Sequence, residues 1–109
     1  MINRAAVIVR PAKPYIDWAQ TLDDSGQVPD PADEATVYLI PNYADDVEAW
    51  ELLARIYEEI FENELWSWHT EEADWPKERT FAMFRAWFDV EFHSIVEDLC
   101  AYELVDEDD

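Results

Sequence analysis

The stretch FAMFRAWFDVEFHSIVEDLC, residues 81–100, decides the fold because its apolar residues fit two different periods. Apolar side chains at positions 81, 84, 88, 92, 95 and 99 are three or four residues apart, which predicts one face of a helix. Phe88, Val90 and Phe92 also alternate as in a strand, but Ser94 interrupts that alternation. The longer pattern favours a helix to about residue 100, and a third strand over residues 89–97 is the alternative.

The segments before this stretch predict two strands and a helix. Residues 5–9 and 36–40 are short runs rich in β-branched residues, and a proline follows each closely. Between them Pro14 marks a helix start, and Tyr15 and Trp18 begin its apolar face. Strand, helix and strand in this order predict a βαβ unit with a parallel crossover. Two strands make a poor sheet by themselves, so a third strand over residues 89–97 is kept as an alternative interpretation.

A long helix is predicted from Asp45 and Asp46 to about Leu65, because apolar residues recur every three or four positions. Carboxylates in its first turn suit the positive end of the helix dipole. We therefore expect a small single α/β domain over residues 1–102, with a βαβ unit and two long helices. Residues 103–109 are expected to form a mobile acidic tail.

The charge narrows the classes of partner. Asp and Glu number 27 against seven Lys and Arg, which gives a formal net charge of −20. Such a chain repels phosphates, so direct binding to nucleic acid and to anionic membranes is disfavoured. Three explanations remain: a basic protein partner, adaptation to a salty cytoplasm, and binding of cations by carboxylates.

Cysteine content and apolar runs favour a cytoplasmic protein. Cys100 is the single cysteine, so no disulfide forms within the chain, and its acidic neighbours predict a buried, unreactive thiol. The apolar run at residues 5–9 is shorter than a signal peptide requires. No segment approaches the roughly 20 apolar residues of a membrane span.

Asp89, His93 and Glu97 are the candidates for metal binding or proton transfer. Their spacing of four places them on one helix face, and its even value places them on one strand face as well. No further strong ligand is evident, so a solvated charge ladder is the favoured interpretation. Since catalytic motifs are absent too, an enzyme is less favoured, and no cofactor is expected.

A second candidate is an anion site past the ends of the predicted parallel strands. Arg10 and Lys13 follow the first strand, and Tyr43 follows the second. Ligands of parallel sheets bind beyond such strand ends. Neutralisation of nearby carboxylates by the two basic residues is the favoured alternative.

The third candidate is an aromatic and acidic protein-binding surface. In the stretch ELWSWHTEEADWP, residues 64–76, Trp66 and Trp75 are expected to close the core, while Trp68 stays partly exposed beside His69. Glu58, Glu59 and Glu62 add charge on the preceding helix. We therefore expect a non-catalytic binding protein, such as an inhibitor, an immunity-type protein or a mimic of nucleic-acid charge, with a basic protein as partner. A homodimer is a further option.

Overall fold

The computed structural model describes residues 1–23 and 25–106, which form a small single-domain mixed α/β fold. Three strands and three helices are present in these residues, together with a short 3-10 turn at Glu72–Asp74. In chain order the elements are β1 (Ala5–Pro11), α1 (Lys13–Gln20), β2 (Thr36–Ile40), α2 (Asp46–Trp68), α3 (Phe81–Trp87) and β3 (Phe88–His93).

The strands form one antiparallel sheet in the order β2-β1-β3, so the predicted parallel crossover is wrong. Ala5 of β1 lies opposite Ile40 of β2, and Val9 lies opposite Thr36. At roughly 1.5 Å per residue, the eight residues of α1 span about 12 Å, about half the length of β1. β2 starts near the end where β1 finishes, since Thr36 lies opposite Val9.

Residues 88–93 form the third strand, which confirms the alternative interpretation over a shorter range than predicted. The predicted second long helix is wrong, because α3 ends at Trp87. The Thr80 side chain caps the start of α3 by accepting a hydrogen bond from the Met83 N–H at 3.1 Å. Pairing with β3 then satisfies the second edge of β1, and Phe88, Val90 and Phe92 point to the side of the sheet that packs on the helices.

The core lies between one face of the sheet and the helices. Phe61 of α2, Phe84 of α3 and Phe88 of β3 are fully buried, with ring centroids 5.1 to 5.9 Å apart. The other face of the sheet is open, and Val37 of β2 is 61% exposed there. None of the helices in the described residues has the length and apolar composition to cross a membrane.

The chain after β3 is irregular and exposed. Cys100 is exposed, so the predicted buried thiol is wrong, because the absence of a second long helix leaves it outside the core. Residues 103–106 of the predicted acidic tail are exposed and irregular. Residues 107–109 of that tail lie outside the described residues.

Candidate partner-binding surface

Helix α2 presents a continuous exposed stripe that we call the acidic ridge. Its members recur every three or four residues along the 23-residue helix, and all are exposed. They are Glu48, Glu51, Arg55, Glu58, Glu59, Glu62 and Trp66. The ridge brings together the predicted binding residues Glu58, Glu59 and Glu62.

The start and the buried side of α2 fix the ridge in place. Asp45 caps the helix by accepting a hydrogen bond from the Glu48 N–H at 2.9 Å. On the opposite side Leu53, Phe61 and Leu65 are fully buried in the core. Because the helix is anchored along its whole length, the exposed side chains project from a rigid support.

The charge of the ridge is mostly uncompensated. Glu62 pairs with Arg79, whose Nη2 lies 3.1 Å from the carboxylate. Glu51, Glu58 and Glu59 form no ion pair with any described residue, and neither does Arg55. Unpaired carboxylates on one rigid face produce a local negative potential that attracts cationic groups.

The tryptophans are arranged differently from the prediction. Trp66 is 53% exposed, whereas Trp68 is half-buried against the core and Trp75 is 8% exposed. The Trp66 ring contacts Trp75 edge-on, with centroids 6.5 Å apart. Trp75 closes the core as expected, but the assignment of Trp66 to the cap is wrong. Trp66 lies four residues after Glu62, on the exposed side of the helix, and is the most exposed aromatic ring of the three.

His69 closes the corner between α2 and the following turn. Its Nε2 lies 2.8 Å from the Asp74 carboxylate, and its carbonyl accepts a hydrogen bond from Trp75 Nε1 at 2.8 Å. The His69 ring also contacts Trp18 of α1 edge-on. Through these contacts, His69 is part of the packing between the end of α2, the following turn and α1.

Arg10, Lys13 and Tyr43 are not brought together. Arg10 Nη1 lies 3.3 Å from Glu91, and Lys13 Nζ lies 2.8 Å from Asp17 one helical turn away. Tyr43 packs edge-on against Phe92. Because β1 and β2 are antiparallel, their carboxyl ends lie at opposite ends of the sheet, so the geometry of the predicted anion site does not form.

Asp89, His93 and Glu97 also have separate environments. Asp89 and His93 share the open face of the sheet, but His93 Nε2 contacts the Glu91 carboxylate between them. This histidine and Arg10 lower the pKa of the Glu91 carboxyl. The Glu97 carboxylate instead lies 2.6 Å from the N-terminal amine. In the described part of the chain, no group of three or more His, Cys, Asp or Glu side chains is arranged to hold a metal ion.

Glu64 is a buried carboxylate on the inner side of α2. It is 3% exposed and accepts a hydrogen bond from the Tyr38 hydroxyl of β2. Burial raises the pKa of the Glu64 carboxyl, and the charge of Glu34 adds to this effect, while hydrogen bonds from the Tyr38 and Thr36 hydroxyls oppose it. Burial and the Glu64 charge likewise raise the pKa of the Tyr38 hydroxyl.

A cleft of about 400 Å³ opens between β2 and α2, next to the acidic ridge. Leu39 and Pro41 line it from the β2 side, and Ile56 and Ile60 line it from α2. Glu59 belongs to both the cleft and the acidic ridge.

Trp66 was assigned to the wrong side of α2 and Glu64 was overlooked, although the helix period contained a signal for each. Trp66 follows Glu62 by four residues, which places it on the charged side of α2. Glu64 follows Ile60 by four and Phe61 by three, which places it on the apolar side. The cleft itself depends on the pairing of β2 with β1, for which the sequence offers no comparable signal.

No family model, no curated protein and no solved structure matches this chain.

Proposed function

We propose that this protein is a non-catalytic binding protein that engages a basic surface of another protein through the acidic ridge. The observation that carries this proposal is the exposure of Trp66 at the end of a rigid row of carboxylates, of which Glu51, Glu58 and Glu59 have no ion pair to a described residue. Carboxylates steer a basic partner towards the surface, and an exposed tryptophan supplies the apolar contact that holds it.

The exposed Trp66 ring favours a binding surface over a charged surface that serves only solubility. A charged surface that serves only to keep a protein in solution has no need of a large ring among its carboxylates, and tryptophan is the residue type most enriched at binding hot spots. Arg55 is the one basic residue in the ridge. It forms no ion pair with Glu51, Glu58 or Glu59, and these three carboxylates have no other ion pair to a described residue.

Matched charge variants test the proposal against a panel of folded basic proteins with isoelectric points above about 9. The ridge variant carries Glu51→Gln, Glu58→Gln and Glu59→Gln. The control variant carries Asp33→Asn, Asp89→Asn and Glu103→Gln, three exposed residues outside α2, so both variants have the same net charge. Affinities are measured by calorimetry at low and at physiological salt.

We expect the ridge variant to bind about tenfold more weakly than the control variant, and the affinity of the unmodified protein to fall as salt rises. Equal losses in the two variants would contradict the proposal, because the net charge would then act without a defined site. Absence of binding to every panel member at low salt, together with stability that rises steadily to molar salt, would instead support adaptation to a salty environment.

A further inference from the structure

We propose that the cleft between β2 and α2 receives an arginine side chain of the basic partner, an inference that rests on the proposed function. The cleft adjoins the acidic ridge through Glu59, so a partner lying along the ridge reaches it without leaving the interface. Its volume of about 400 Å³ is at the small end of the range for ligand sites and suits one long side chain.

The polar side chains of the cleft offer mainly hydrogen-bond acceptors. The Tyr38 hydroxyl donates its hydrogen to the buried Glu64 carboxylate, and its oxygen accepts from Asn63 Nδ2 at 2.8 Å. The Asn63 side-chain oxygen and the Glu59 carboxylate have no donor among the described residues. A guanidinium group has five N–H donors and no acceptor, so it complements this set.

The walls favour arginine over lysine. Pro41, Ile56 and Ile60 provide apolar surface for the methylene groups of a long basic side chain. A guanidinium is more weakly hydrated than an ammonium and stacks on aromatic rings, and the half-buried Tyr38 ring lines the same cleft. The buried Glu64 carboxylate behind Tyr38 adds negative potential at this end of the cleft.

A peptide titration followed by NMR tests this inference. The probe is the capped peptide Gly-Gly-Arg-Gly-Gly, and its citrulline version has nearly the same shape without the charge. We expect binding on the order of millimolar, with shift changes at the amides of Leu39, Ile56 and Asn63. The citrulline peptide should bind at least about tenfold more weakly, and the lysine peptide should fall between the two. Equal binding of citrulline, or shift changes confined to other residues, would overturn the inference.

Two substitutions at Ile56 and one on the ridge locate the effect. Ile56→Trp fills the cleft without changing charge and is expected to abolish peptide binding, whereas Ile56→Ala leaves the cleft open and should retain it within about threefold. Glu51→Gln removes a ridge charge away from the cleft and should weaken peptide binding by less than about twofold. If Ile56→Ala and Ile56→Trp bind the peptide equally well, the cleft is not its site.

The outcomes for the cleft and for the proposed function are distinguishable. If the ridge variant weakens binding of basic proteins but the arginine peptide leaves the cleft unperturbed, the inference about the cleft fails and the proposed function stands. If no basic protein binds at low salt, the proposed function fails.

Discussion

The two sides of α2 carry the same residue type in opposite environments. Glu64 on the inner side is 3% exposed and hydrogen-bonded to Tyr38, whereas Glu59 on the outer side is exposed and has no ion pair to a described residue. The inner side is otherwise built from side chains such as Phe61 and Leu65, which are fully buried. Five positions along one helix therefore separate a carboxylate that belongs to the packing from one that is available to a partner.

This difference shows that the acidity of the chain is not a uniform property. A buried carboxylate costs folding free energy unless its hydrogen bonds are satisfied, while an exposed one costs little and remains free for binding. Substitutions on the inner side of α2 should therefore change stability, and those on the outer side should change association.

The largest expected effect is on the inner side, at Phe61. Its ring is fully buried among Phe84, Trp87 and Phe88, with centroids 5.3 to 5.9 Å away. Phe61→Ala removes this ring and leaves a cavity, so the free energy of unfolding should fall by about 3–5 kcal/mol. Val47→Ala, at a residue of the same helix that is 67% exposed, should change it by less than about 0.5 kcal/mol. Chemical denaturation measures both, and similar losses would contradict the assignment of the two sides.

The next effect is on the outer side, at Trp66. Trp66→Ala should weaken binding to a basic protein by about 2 kcal/mol, or roughly 30-fold, while stability falls by less than about 1 kcal/mol because the ring is half exposed. Trp68→Ala is the matched control, since Trp68 is packed against the core and should lose mainly stability. Calorimetry and thermal unfolding measure the two quantities, and a Trp66 variant that binds normally would remove this ring from the interface.

The smallest expected effect is a pH-dependent change in the free energy of unfolding when Glu64, the buried carboxylate on the inner side of α2, is replaced. Because burial raises its pKa, Glu64 stabilises the fold below the usual pKa of a glutamate and loses this contribution as pH rises through its value in the folded protein. Glu64→Gln keeps an oxygen that accepts from Tyr38 but does not ionise. At pH 7 it should raise the free energy of unfolding by about 1 kcal/mol, and at about pH 4 it should match the unmodified protein.

Thermal unfolding across this pH range, with Glu59→Gln as the control on the outer side, measures the effect of Glu64. A Glu64→Gln protein that is less stable than the unmodified one at pH 7 would show that the ionised carboxylate stabilises the fold.

The sequence predicted the local elements better than their arrangement. The long helix from Asp46 was predicted almost to its end at Trp68, because its apolar residues keep one phase for 23 residues. The direction of β2 relative to β1 was predicted wrongly, since it depends on the path of residues 21–35 and not on the residues of either strand. Long-range pairing of this kind leaves no periodic signal in the chain.

The end of α3 shows a second limit of structure prediction from the sequence. Phe84, Phe88 and Phe92 fit a helical period, but only Phe84 is helical in the structure. The chain changes to a strand at Phe88 because β1 has an unpaired edge there, which is a tertiary contact. Of the predicted binding residues, Glu58, Glu59 and Glu62 share one surface, whereas Arg10, Lys13 and Tyr43 do not, because their grouping assumed parallel strands.

The most direct test of the central claim is an NMR map of the binding surface, recorded on the isotope-labelled protein with a basic protein from the panel. The account predicts shift changes that follow the exposed side of α2 from Glu51 to Trp66 and extend to Leu39 at the cleft. Changes centred on Asp89, Glu91 and His93 at the open face of the sheet, with α2 unperturbed, would contradict it.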